Sequence, residues 1–155
     1  MQTSSSTKRV AFVHACWHRD IVDHGRDAFI AEMERLGVAR AQIEIFEVPG
    51  SLEIPLQAKL LAKSGRYSAI VAAGLVVDGG IYRHEFVAET VIEAMMRIQL
   101  DTEVPIISLV LTPQAFHEHE THRGFFQEHF KLKGREAASA CAATIENVGA
   151  VAALA

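Results

Sequence analysis

Short apolar runs alternate along the chain with longer segments in which apolar residues recur at helical spacing. The runs are typical of strands buried on both faces and cover residues 10–15, 43–48, 69–77 and 105–111. The spacing predicts helices at 20–36, 52–63 and 83–100, a His-rich helical segment at 114–130, and a last helix from Gly134. Repeated βα units imply right-handed crossovers. The pattern therefore predicts an α/β fold, a three-layer sandwich whose four-stranded parallel sheet carries helices on both faces.

Composition places the chain among globular proteins. It has 155 residues, 50% of them hydrophobic, and a formal net charge of −4, which provides no basic field for nucleic acid. Its longest apolar run is too short to span a membrane. The polar segment 1–7 is predicted to be a disordered tail and residues 8–155 a single domain. Two distant cysteines, Cys16 and Cys141, make no disulfide framework, which favours a cytoplasmic location.

Groups that suit a small ligand follow the predicted strands. Trp17 comes after the first strand, residues 50–53 after the second and residues 78–84 after the third, while Ser108 lies in the fourth. Parallel strands end at one edge of their sheet, where ligands commonly bind. We therefore expect these groups to form one site, with the Trp17 ring available to stack on a planar heterocycle.

The turn at 48–55 is the most informative part of this edge. Ser51 is placed to cap a helix that begins at Leu52. Glu53 then lies in the first helical turn, beside free backbone N–H groups. It either partners the helix dipole or accepts hydrogen bonds from a polyhydroxylated ligand.

Three motifs together resemble lumazine synthase over nearly the whole chain. They are Val-Pro-Gly-Ser-Leu-Glu-Ile-Pro at 48–55, Val-Pro-Ile-Ile at 104–107 running into Leu-Thr at 111–112, and Lys-Leu-Lys-Gly-Arg-Glu-Ala-Ala at 131–138. The resemblance implies a transferase of riboflavin biosynthesis that condenses 5-amino-6-ribitylaminouracil with 3,4-dihydroxy-2-butanone 4-phosphate. The products are 6,7-dimethyl-8-ribityllumazine, phosphate and water. The resemblance implies that the protein needs no cofactor and no metal. It also implies assembly into pentamers, with each active site between neighbouring subunits. We expect no nucleic acid and no membrane among the partners.

The resemblance also assigns roles by motif position. The substrate-binding positions hold Trp17, Ser51, Leu52, Glu53, Leu75, Val76, Val77 and Ser108. Candidate phosphate-binding positions hold Gly80, Ile81, His122, His129 and Lys133. The position of proton transfer holds Arg83, and His84 follows it. Adjacent residues at a helix start point about 100° apart, which favours only one of the two at the reacting atom.

Several positions depart from the common pattern of this family. Asp78 stands where a basic residue is usual, Arg83 where a histidine is usual and Ser108 where an aromatic is usual. The phosphate-binding arginine of the family has no clear counterpart. Counting forward from Ser108 reaches His122, whereas counting back from Lys133 reaches Phe125. These departures resemble the branch of the family whose pentamers pair as decamers, and they predict a slow enzyme.

Three other functions compete with this prediction. The departures allow a weakly catalytic flavin- or lumazine-binding protein in storage or sensing. The βα order also suits a flavodoxin-like redox module, although the first strand is followed by Cys-Trp-His at 16–18 rather than a hydroxyl-rich phosphate loop. Zinc at His117, His119 and His122 is disfavoured because these positions do not share one helix face.

Overall fold

The computed structural model of the chain describes residues 8–78, 80–113 and 120–155, with backbone only at 120–122. Strands and helices alternate along these residues. The strands are β1 Arg9–Ala15, β2 Ile43–Val48, β3 Tyr67–Leu75 and β4 Ile106–Leu111. The α-helices are α1 Arg19–Arg35, α2 Ile54–Lys63, α3 His84–Thr102 and α4 Glu120–Ala152, with 3₁₀ turns at Arg40–Gln42 and Ser51–Glu53.

The four strands form a parallel sheet, as the sequence predicts, and their order in it is β2-β1-β3-β4. Alternate side chains of β1 enter two separate cores. Phe12 packs with Phe29 and Phe130 beneath α1 and α4, and Val13 packs with Ile54 and Val91 beneath α2 and α3. The three-layer sandwich is therefore confirmed.

Helix α4 runs without interruption through the position at which a new helix was predicted. Gly134 does not break the helix but lies against α1, where a Cβ added to it would overlap the carbonyl oxygen of Gly25. A Cβ on Gly25 would in turn come within 2.7 Å of Phe130 Cδ1. The two-helix prediction was wrong because this glycine allows close helix packing rather than ending a helix.

Within the three described ranges, no helix is long and apolar enough to cross a membrane. The tail predicted at 1–7 lies outside the described residues.

Replacing Gly134 by alanine should destabilise the fold. We expect Gly134→Ala to lower the free energy of unfolding by about 1 to 3 kcal/mol, because the new methyl meets α1 backbone that cannot easily move. This loss should outweigh the roughly 1 kcal/mol by which alanine is favoured over glycine in a helix. Chemical denaturation measures the change.

The matched control is Gly149→Ala in the same helix, where an added Cβ has no atom within 4 Å among the described residues. That variant should be as stable as the parent or more so. Equal stability of the two variants would contradict the packing role of Gly134.

Candidate active site

The ring of Trp17, which follows β1, contacts the turn that follows β2. The indole lies directly on Gly50, so that a Cβ at residue 50 would overlap the ring and come within 2.7 Å of Nε1. The side chain of Trp17 is nevertheless 42% exposed. Part of the indole is therefore packed on Gly50 and part of it is open to solvent.

A cavity of about 330 Å³ opens beside Trp17 at the carboxyl edge of the sheet. It brings together residues predicted for the ring-binding and reacting part of the site, namely Trp17, Leu75, Val76, Val77, Arg83 and His84. Ile81, which was predicted for phosphate, also lines it. His18, Tyr82 and Val87 also line it and were not predicted. Tyr82 could have been found, because it lies inside the loop already chosen for its chemistry.

Arg83 and His84 both line this cavity but differ in their surroundings. The Arg83 guanidinium lies 5.7 Å from the centre of the Phe86 ring, a cation–π arrangement on the surface. The His84 side chain is only 13% exposed, and its Nδ1 is 3.7 Å from Glu85 Oε2. His84 also faces a second cavity with Thr112. A cation and an imidazole are thus available at the same opening.

The 3₁₀ turn Ser51–Glu53 differs from the predicted helix cap. Ser51 is buried, its hydroxyl lies next to Gly74, and Oγ has no hydrogen-bond partner among the described residues. The reciprocal cap is made by Glu53, whose Oε2 accepts the Gly50 N–H at 2.9 Å. The cap predicted for Ser51 was therefore wrong, because Gly74 leaves room for the hydroxyl to turn inward. Leu52 is half exposed.

The residues predicted for phosphate lie in two places. Gly80 adopts φ 83°, and its N–H donates to Asp78 Oδ1 at 2.8 Å, while Ile81 is largely exposed. On α4, the His129 ring stacks on Phe125 with centres 5.7 Å apart. His122 belongs to the same helix, but its side chain lies outside the described part of the chain, as do His117 and His119 of the zinc alternative.

Ser108 and Lys133 line a different cavity, of about 380 Å³, between β4 and α4. Ser108 is exposed on β4, where its Oγ accepts the Val110 N–H at 3.3 Å. Lys133 Nζ is 2.9 Å from Glu136 Oε2. In the sheet, β3 lies between β1, which leads to Trp17, and β4, which carries Ser108. Within the described part of one chain, Ser108 and Lys133 therefore do not reach the Trp17 cavity.

The fold and the cavity define an α/β protein with an open cavity at the carboxyl edge of a parallel sheet. Residues 7–148 match the family model of 6,7-dimethyl-8-ribityllumazine synthase. The chain therefore belongs to this family, the transferases that make 6,7-dimethyl-8-ribityllumazine in riboflavin biosynthesis. The comparisons favour this activity over storage or sensing of flavin.

Two curated relatives carry the name 6,7-dimethyl-8-ribityllumazine synthase 2. The protein of Bradyrhizobium diazoefficiens is 63% identical over 89% of this chain and 82% of its own length. That of Pseudomonas syringae pv. tomato is 59% identical over 94% of this chain and 85% of its own length. Among solved structures, a split-gene transketolase (inactive beta4 tetramer) matches with a TM-score of 0.50 and 15% identity, over 90% of this chain and 40% of that one. This last likeness shows the fold alone.

The contact between Trp17 and Gly50 can be tested without a ligand. Residue 50 has an extended backbone with φ −149°, so Gly50→Ala strains no dihedral angle, but its methyl overlaps the indole. We expect the variant to fold with Trp17 displaced. Because Trp17 is the single tryptophan of the chain, a shift in tryptophan emission reports the displacement. Gly149→Ala is again the control, and unchanged emission in Gly50→Ala would contradict the contact.

Proposed function

We propose that this chain condenses 5-amino-6-ribitylaminouracil with 3,4-dihydroxy-2-butanone 4-phosphate in the cavity beside Trp17. The observation that supports this site is the grouping of Trp17 with residues 75–77 and 81–84 around one opening. The open face of the indole suits stacking on the pyrimidine ring, and backbone groups at 75–77 suit its polar edge. Schiff-base formation, phosphate loss and ring closure then depend on positioning and proton transfer rather than on a protein nucleophile.

The ribityl chain is proposed to lie along the turn at 51–53. Because the Ser51 hydroxyl is buried, Ser51 would contribute through its backbone, with Leu52 covering the chain. Glu53 uses Oε2 to hold the Gly50 N–H, which leaves Oε1 available to a ligand hydroxyl. Glu53 would therefore serve both as the cap, a role predicted for Ser51, and as the ligand acceptor considered for it from the sequence.

The phosphate is proposed to bind at the N–H groups of Gly80 and Ile81. The Gly80 N–H is occupied by the Asp78 carboxylate, so the incoming anion would have to displace this side chain. His122, His129, Lys133 and Ser108 would complete the site from the other side. Like-charge repulsion between Asp78 and the phosphate is consistent with a slow enzyme.

Two copies of the chain are needed to bring these groups together. The Trp17 cavity opens at the carboxyl edge, whereas the cavity of Ser108 and Lys133 opens between β4 and α4. A ring in which the second cavity of one copy faces the first cavity of the next would complete every site. We propose pentamers, paired as decamers, of a single domain covering residues 8–155, acting in the cytoplasm.

Mixed rings test the shared site. Trp17→Ala and Lys133→Ala should each be nearly inactive alone, because each removes one side of every site. Co-expressed in equal amounts, they should recover roughly a quarter of parental activity, since about one neighbouring pair in four then carries both intact sides. The condensation assay measures formation of 6,7-dimethyl-8-ribityllumazine.

Trp17→Ala mixed with Glu53→Ala is the matched control, because both changes lie on the same side and no site is repaired. Absence of recovery in the first mixture, with mixed rings shown by mass, would contradict the shared site. A fully active monomer at nanomolar concentration would contradict it as well. A parent that binds flavin but does not form the product would contradict the synthase function itself.

The roles of Arg83 and His84 can be separated by the activities of their alanine variants. We expect Arg83→Ala to lower kcat/KM roughly 10- to 100-fold, because a charge-assisted hydrogen bond to substrate or phosphate is lost. His84→Ala should lower it less, with water carrying the protons. If the larger loss instead belonged to His84→Ala, about 10² to 10⁴-fold, histidine would be the general acid–base group.

A further inference from the structure

A charged pair joins the turn that carries Trp17 to strand β2. Arg19 donates from Nη1 to Glu47 Oε2 at 3.1 Å and from Nη2 to the other carboxylate oxygen. Arg19 is the first residue of α1 and follows Trp17 by two positions, while Glu47 precedes Gly50 by three. The pair therefore links the segment that carries Trp17 to the segment that carries Gly50, on which the indole packs.

The conformation of His18, between Trp17 and Arg19, favours an additional attachment of this turn to β2. His18 adopts φ 51°, in the left-handed region that residues other than glycine rarely occupy and that neighbouring contacts must maintain. Before Trp17, the Cys16 N–H donates to the Val48 carbonyl at 3.0 Å. After it, the Arg19–Glu47 pair is the corresponding attachment to β2.

Two further side chains lie beside this pair. Glu47 Oε1 lies 3.6 Å from Nε2 of the fully buried His14, and Arg19 Nε lies 3.6 Å from Asp23 Oδ2. The carboxylate is thus placed between a strand imidazole and a helix guanidinium. Two-point Arg–carboxylate contacts fix direction as well as distance.

We propose that Glu47 and Arg19 are positioning residues that hold the Trp17 ring on Gly50 and so set the ring-binding surface of the site. Their side chains are 44% and 48% exposed, so the pair adds little to global stability, and its effect falls on the orientation of the turn. Only the catalytic consequence rests on the proposed function. The placement of Trp17 is independent of it.

Two readouts test the proposal in the full-length protein. In Glu47→Ala and in Arg19→Ala, acrylamide quenching of the single tryptophan should rise about twofold, since the ring leaves its packed position. The KM for 5-amino-6-ribitylaminouracil should rise about tenfold, because a displaced platform binds the ring less well. The double variant should show no greater change than either single variant, because both remove the same contact.

The matched control is Arg9→Ala, which breaks the Arg9–Glu44 pair, another Arg–Glu pair to β2. That pair has comparable exposures of 44% and 34% but lies at the start of β1, away from Trp17. Both readouts should keep their parental values in this variant. If Glu47→Ala fails to fold, Glu47→Gln keeps the shape, removes the charge and should shift both readouts in the same direction.

Quenching and KM within twofold of the parent in both folded single variants would overturn the proposal. So would a change of quenching without a change of KM, or equal effects in Arg9→Ala. A parent without condensation activity would refute the proposed function, whereas the quenching comparison would still decide whether this pair places Trp17.

Discussion

The structure depends on the need to cover both faces of the central strands β1 and β3. Their side chains are buried on both sides of the sheet, with Phe12 and Val13 entering opposite cores. Exposing either face would cost about 25 cal/mol for each Å² of apolar surface. Covering both faces requires helices in the crossovers, and these crossovers make the strands parallel. All four carboxyl ends, and the turns that follow them, therefore lie at one edge.

Close packing continues from the core into these turns. The Trp17 ring has no room for a methyl group at Gly50, and Ser51 Oγ would come within 2.8 Å of a Cβ at Gly74. Gly50 gives room to the Trp17 ring, and Gly74 in β3 gives room to the Ser51 hydroxyl. Among the described residues this buried hydroxyl has no hydrogen-bond partner, an arrangement that costs about 1 to 3 kcal/mol. The turns that carry Trp17 and Ser51 are thus packed continuously with the core.

The edge position of β4 explains why Ser108 and Lys133 lie apart from the Trp17 cavity. Ser108 pairs with Ala72 on one side of this strand and remains exposed. Lys133 approaches the same flank from α4, which is held close to α1 through Gly25 and Gly134. These groups line a cavity separate from that of Trp17, and for this reason the proposed function draws them from a neighbouring copy.

The sequence by itself determined the strands, the parallel sheet, and the grouping of Trp17 with Arg83 and His84. These features follow from local periodicity and from the rule that parallel strands end together. Only the tertiary structure decided that α4 continues through Gly134, that the Ser51 hydroxyl turns inward, and that Arg19 pairs with Glu47. Each of these features depends on a contact with residues remote in the chain. Gly134 lies against Gly25, the Ser51 hydroxyl lies next to Gly74, and Arg19 contacts the end of β2. Local sequence patterns do not encode such contacts.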